Sequence, residues 1–375
     1  MNRSRRLPAT PGLHGRTARR VAAMAAALLL GLVASCGTPP PSPSVALPEV
    51  PPQVPEPVAE ARPAPAEVPA GARELARNER LVLYQPAVGD SFASIAQRVL
   101  GRADLAWTLA EANRATQPQP GDPVVVPLKP LNPLGVDADS YQTVPILCYH
   151  RFGTGSNRML LSPAGFAAQL DWLARNGFQV IRLAQLLEFL RGNRALPRKS
   201  VVITIDDGYE SVHRYAWPLL KKYGFPATLF VYTDFIGYGE ALSWSQLQEL
   251  AHSGLIDIQA HSKTHRNLLD RFANEDDERY RRNLELEARS PKETLEKRLP
   301  GVRVRHFAYP FGDVNEQMLA ALTRQQFELG LTVTPGGNAF FAQPLMLRRT
   351  MIFGDLDLEG FKAKLQIARS VRGGP

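Results

Sequence analysis

Two short stretches of this chain hold the residue types that metal-assisted hydrolysis needs. Thr204-Ile205-Asp206-Asp207-Gly208 sets two carboxylates side by side, and His261-Ser262-Lys263-Thr264-His265 sets two imidazoles four residues apart. Together they supply two nitrogen donors, one carboxylate donor and a second carboxylate that is free to act as a base. The chain has seven histidines, and two of them are placed in this one word.

Strands have to deliver these groups. The run 200–205 is apolar and β-branched, as a strand buried on both faces is, so Asp206 and Asp207 stand at its carboxyl end, where α/β folds carry chemistry. Gly208 lets the chain turn there, so both carboxylates can face one cavity. The run 256–259 is a second short strand, and a helical turn after it would put His261 and His265 on one face.

Further strands are expected at 144–149, 180–183, 227–232, 306–309 and 329–333. Helices are expected at 163–176, 183–191, 211–223, 244–253, 277–299 and 314–326. This alternation means parallel strands with helical crossovers, and seven strands fit a distorted (β/α)7 TIM-like barrel. The charged segment 274–298 reads as a solvated helix face. Tyr238 and Trp244 flank a glycine-containing loop, where rings stack on a sugar or pack against the core.

Residues 143–370 resemble the polysaccharide deacetylases of the NodB-homology type, carbohydrate esterase family 4. The words at 204–208 and 261–265 carry the resemblance, supported by Phe307-Ala-Tyr-Pro-Phe-Gly312 and by the opening Pro145-Ile-Leu-Cys-Tyr-His150. It implies Asp206 as general base, Asp207, His261 and His265 as ligands of a divalent metal, most simply Zn2+, and a backbone N–H of Tyr309 as oxyanion donor. The implied reaction is hydrolysis of an N-acetyl group from a hexosamine in a cell-envelope or exported glycan, either peptidoglycan or poly-N-acetylglucosamine.

Two parts of the family pattern are missing here. The third motif lacks its leading arginine and carries His306 nearby, and the stretch 344–352 has no Leu-x-His. His150, at the end of the first strand, is the candidate for the missing general acid, and Arg348 or Arg349 for the group that orients Asp206. Two alternatives stay open: an O-acetyl esterase of the same fold, and an inactive glycan-binding lipoprotein.

The first 35 residues read as a lipoprotein signal peptide. Arg16, Arg19 and Arg20 precede an apolar run from Val21 to Val33, too short to span a bilayer, and Cys36 follows as the residue to be lipidated. This predicts a lipid-anchored protein of the cell envelope that faces the periplasm. Cys148, the other cysteine, lies inside a strand and is expected to be a buried small hydrophobe. The leader holds six arginines and no acid, so the formal charge of +8 falls to +2 without it, which removes the case for a nucleic-acid partner.

Residues 36–80 are rich in proline, alanine and glutamate and read as an extended tether. Residues 81–128 follow the order strand, helix, helix, strand, with Gly89-Asp90-Ser91 before the first helix and Pro120-Gly-Asp-Pro-Val before the last strand. This βααβ unit resembles a LysM module, which implies binding of N-acetylglucosamine-containing glycan.

Overall fold

The computed structural model describes residues 71–155 and 157–371. The signal peptide, Cys36 and most of the tether lie outside them. Among the described residues no helix is long and apolar enough to cross a membrane.

The small N-terminal unit consists of β1 (Arg73–Arg77), β2 (Leu81–Gln85), α1 (Phe92–Leu100), α2 (Ala106–Asn113) and β3 (Val124–Pro127). Its sheet order is β1-β2-β3, antiparallel throughout. The tether was expected to run to residue 80, but 73–77 form an exposed edge strand on β2. Ser91 caps α1 in a reciprocal box with Ser94, and Gly101 ends it in the left-handed region (φ 72°). Val82, Ile95, Leu109 and Val126 are fully buried between the sheet and the helices.

The larger unit begins with β4 (Ser140–Gln142), β5 (Val144–Tyr149), β6 (Arg151–Phe152), β7 (Leu160–Leu161), α3 (Pro163–Arg175), β8 (Gln179–Val180), α4 (Leu183–Leu190) and β9 (Ser200–Ile205). It continues with α5 (Trp217–Tyr223), β10 (Ala227–Val231), α6 (Trp244–His252), β11 (Ile256–Ala260), α7 (Asp277–Arg298), β12 (His306–Ala308), α8 (Glu316–Arg324) and β13 (Leu329–Leu331). It ends with β14 (Gly337–Asn338), β15 (Thr350–Met351), α9 (Leu358–Ala363) and β16 (Ala368–Ser370).

Strands β5, β9, β10, β11, β12 and β13 are neighbours in that order and all parallel. The sheet curls, and a short return segment spans the gap between its ends. Leu347 pairs with Leu331 of β13, and β15 pairs in parallel with β5. This is the α/β architecture expected of a (β/α)7 barrel, with one change of membership. Residues 180–183 were expected to be one of the seven staves, whereas β8 is a two-residue strand on the entry of β9 and β15 takes the seventh place.

All six residues of β5 and of β9 are buried. Helix α7 departs from its expected solvated role. Tyr280, Leu284, Glu287, Ala288, Pro291 and Leu295 recur at helical spacing and are buried as one stripe.

The small unit rests against the amino-terminal end of β9. Arg198, two residues before that strand, pairs with Asp137 at 2.6 Å and donates its N–H to Glu111 of α2 at 3.2 Å; Arg194 lies 3.5 Å from Asp104.

Candidate active site

The carboxyl ends of β5, β9, β11 and β12 open on a cavity of about 280 Å³, lined by His150, Asp206, Asp207, His261, His265, Tyr309 and Phe311 together with Met159, Val333 and Met351. All six residues singled out from the sequence as catalytic or metal-binding are brought together there. A larger cavity of about 510 Å³ opens at the opposite end of β11 and β12, beside Asp257, Arg303, Arg305 and His306. Its Asp257 and histidines do not converge as a set of three ligand atoms among the described residues, so the smaller one is the candidate site.

The turn after β9 presents the two acids at different depths. Asp206 is 1% exposed, and its N–H still donates to Tyr149 O of β5. Asp207 then turns into the left-handed region (φ 74°), followed by Gly208 (φ 87°). Any side chain at 208 would meet Val231 Cγ1 at 2.8 Å, so only glycine lets the chain pass.

Asp206 is held from two sides. Arg349 Nη1 donates to its Oδ1 at 2.7 Å, and the Cys148 thiol donates to its Oδ2 at 3.4 Å. Burial alone would raise the Asp206 carboxyl, yet the Arg349 guanidinium and the nearby imidazoles hold it below the usual carboxylate value. Burial keeps the Cys148 thiol protonated, so it stays a donor. The choice left open between Arg348 and Arg349 is settled by position. Arg349 is fully buried against Asp206, whereas Arg348 reaches Pro335 O away from it.

His261 and His265 do not sit on a helical turn. Residues 261–266 form an irregular bend in which Ser262 (φ 71°) and His265 (φ 61°) both take the left-handed region. The two rings meet edge to face with centroids 4.8 Å apart. His261 Nδ1 donates to Ala308 O at 2.8 Å, which leaves the Nε2 lone pair facing the cavity. Asp207 Oδ1 lies 3.5 Å from His261 Nε2 and 3.2 Å from His265 Nε2, and this buried oxygen has no hydrogen-bond partner among the described residues. A buried acceptor without a donor, converging with two imidazole nitrogens within 4.8 Å, is the donor set a divalent cation takes. The residues present fit such an ion.

His150, at the end of β5, is near Asp206 and Cys148. Burial pushes its imidazole down, against the pull of Asp206 and Asp207.

The expected role of Tyr309 needs correction. Its N–H donates to Leu331 O of β13 at 3.0 Å, and its hydroxyl donates to Leu345 O at 2.8 Å. Neither group is free to meet a substrate oxygen. Two residues on, Phe311 holds an unfavourable left-handed conformation (φ 60°), its ring lies 5.0 Å from that of His265, and its N–H makes no hydrogen bond among the described residues. Sequence reasoning passed over Phe311 because the strand had been extended to include Tyr309, and strand pairing is what consumes the Tyr309 N–H. Of the two loop aromatics, Tyr238 is 71% exposed and Trp244 packs against the core under Arg298.

Comparison with known proteins agrees with this geometry. Residues 193–330 match the family model for polysaccharide deacetylase. The Bacillus subtilis (strain 168) protein YxkH is 29% identical over 232 residues, covering 60% of this chain and 76% of that one. The poly-β-1,6-N-acetyl-D-glucosamine N-deacetylase of Escherichia coli (strain K12) is 26% identical over 242 residues, covering 55% of this chain and 36% of its own length. The chain therefore spans little more than a third of that relative. Among solved structures, IcaB from Ammonifex degensii superposes with a TM-score of 0.54 at 29% identity, covering 60% of this chain and 97% of that one. Residues 193–330 are thus similar to polysaccharide deacetylases, and these matches together support a hydrolase of the deacetylase type.

Proposed function

We propose that the protein removes N-acetyl groups from N-acetylglucosamine residues of an exported, β-1,6-linked glycan. The observation that carries this reading is the buried Asp206–Arg349 pair beside the Asp207, His261 and His265 donors. The named activity of the E. coli relative supports the choice of glycan.

Asp207, His261 and His265 would hold one divalent metal, most simply zinc, which when bound supplies Lewis acidity for acidifying water and polarising the acetyl carbonyl. Asp206 is the general base and takes the proton of the attacking water. Arg349 and the Cys148 thiol fix its carboxylate, so that it stays ionised and aimed at the cavity. The free N–H of Phe311 offers the carbonyl oxygen a hydrogen bond as charge develops on it. His150 donates to the departing amine. Because burial disfavours its charged form, it has to gain that proton during the cycle, and Asp206 is the neighbour able to pass it on. The products are acetate and a glucosamine unit.

The βααβ unit would hold the same glycan as a LysM-like module. Its strand and helix order supports that assignment. Export with lipidation at Cys36 completes the reading and places the enzyme in the cell envelope.

The test is acetate release by the purified, zinc-loaded protein from β-1,6-linked N-acetylglucosamine oligomers and, in parallel, from chitin oligomers. Faster release from the β-1,6 series supports the reading. Preference for chitin oligomers moves the substrate to a β-1,4 glycan, and release only from O-acetylated sugars moves the enzyme to the esterases.

A further inference from the structure

Of the three proposed metal-holding residues, His265 has the least support from the sheet. Asp207 follows β9 directly, and His261 follows β11 and is fixed by Ala308 O. His265 hangs from a loop whose backbone passes twice through the left-handed region, at Ser262 and at His265 itself. Such strained residues persist only where the surrounding structure over-determines them.

We infer that Glu287 is the positioning residue that imposes this loop and thereby sets the affinity and geometry of the metal centre. The inference rests on the metal reading above and deepens it. Glu287 lies on the buried stripe of α7 and is 5% exposed. Its Oε2 accepts the N–H of Lys263 at 2.9 Å and of Thr264 at 3.0 Å, and its Oε1 accepts the Thr264 hydroxyl at 2.8 Å. Ser262 Oγ accepts the His265 N–H at 2.9 Å, closing the turn. On the outer side Lys263 pairs with Asp234 at 2.6 Å, and the Asp234 N–H donates back to Lys263 O at 3.0 Å.

A carboxylate buried without a cation is costly unless N–H and O–H donors fill its lone pairs, and here the donors come from the two residues between the histidines. Helix α7 thus supplies one acceptor for the two part-buried loop N–H groups. The bend that aims His265 at Asp207 delivers both of them to one oxygen. Glu287 touches neither substrate nor metal; it acts through His265.

The test compares zinc affinity, by chelator competition, and the visible spectrum of the cobalt-substituted protein across four chains: wild type, Glu287→Leu, Glu287→Gln and Thr264→Val. Removing a group that orients a ligand typically weakens metal binding by about 10–100-fold, so Glu287→Leu should do this and alter the cobalt spectrum. Glu287→Gln keeps an acceptor oxygen for the two N–H groups and should restore most of the affinity. Thr264→Val removes one bond at an exposed position and should cost roughly 3–10-fold, which keeps the inference testable should the leucine variant fail to fold.

Unchanged zinc affinity in Glu287→Leu or in Thr264→Val, with only a lower melting temperature, would overturn the inference and leave Glu287 a structural group. Failure of the underlying reading looks different: wild type would bind no zinc, or would bind it equally well after His261→Ala.

Discussion

The same strands end in two unlike ways. At their carboxyl ends, one buried and one partly buried carboxylate and three histidines face one another across about 280 Å³, with the buried Arg349 paired to Asp206. At the opposite end of β11 and β12, a cavity nearly twice as large is bordered by His306, Asp257 and two arginines that answer to other partners. Burial acts on both ends alike, but its outcome differs. His261 is fully buried and is nevertheless pulled above the ordinary imidazole value by Asp206 and Asp207. His306, equally buried, is pushed down to about 4, because the pull of Glu328 is too weak to offset lost solvation. Convergence of opposite charges, more than volume, separates a reactive end from a structural one.

The largest effect expected on this contrast is at the reactive end. His261→Ala should weaken zinc binding by more than about 100-fold, since the loss of a direct donor exceeds that of an orienting group. Chelator competition reads this directly.

Next comes the arginine that keeps Asp206 charged. Arg349→Met leaves that carboxylate buried without its cation and should destabilise the fold by about 3–5 kcal/mol in denaturant titration, with activity lost.

At the other end the prediction concerns pH. A histidine whose folded value lies below its unfolded 6.5 takes up protons first in the unfolded chain. Stability from neutral His306 is therefore complete above pH 6.5 and lost as pH falls toward about 4. His306→Phe should remove that part of the slope, worth at most about 3 kcal/mol, in unfolding curves collected across the window.

The smallest effect belongs to a surface pair near the N-terminal unit. Arg198→Ala breaks a half-exposed pair with Asp137 and should change stability by about 0–1 kcal/mol while leaving turnover of short oligomers as it was.

How much of this was legible in the sequence follows from how local each signal is. Asp206, Asp207, His261 and His265 could be read because each pair is contiguous or nearly so, and a buried strand announces itself before them. Cys148 was read correctly as buried, but its donation to Asp206 could not be, since it crosses between two strands. The seventh stave was missed because Thr350–Met351 is two residues long, too short for any periodicity, and pairing with β5 alone makes it a strand. The role expected of Tyr309 failed for the converse reason. Extending the strand by one residue was right in pairing and wrong in function, because a paired N–H cannot also serve a substrate. Glu287 was hidden by composition. Helix α7 is so rich in charge that its buried stripe, and the one acid within it that turns inward, are diluted below notice. The bend at Ser262 and His265 is likewise invisible, because the Glu287 carboxylate bonded to it comes from α7, more than twenty residues further along the chain.

The contrast between the two ends is tested most directly by one assay: acetate release from N-acetylglucosamine oligomers by zinc-loaded wild type, Asp206→Asn and His306→Phe at neutral pH. Asp206→Asn should lose about 10²–10⁴-fold in turnover while still binding zinc, and His306→Phe should turn over like wild type. Retained activity in Asp206→Asn, or its loss in a folded His306→Phe, would contradict the assignment of catalysis to the carboxyl end of the strands.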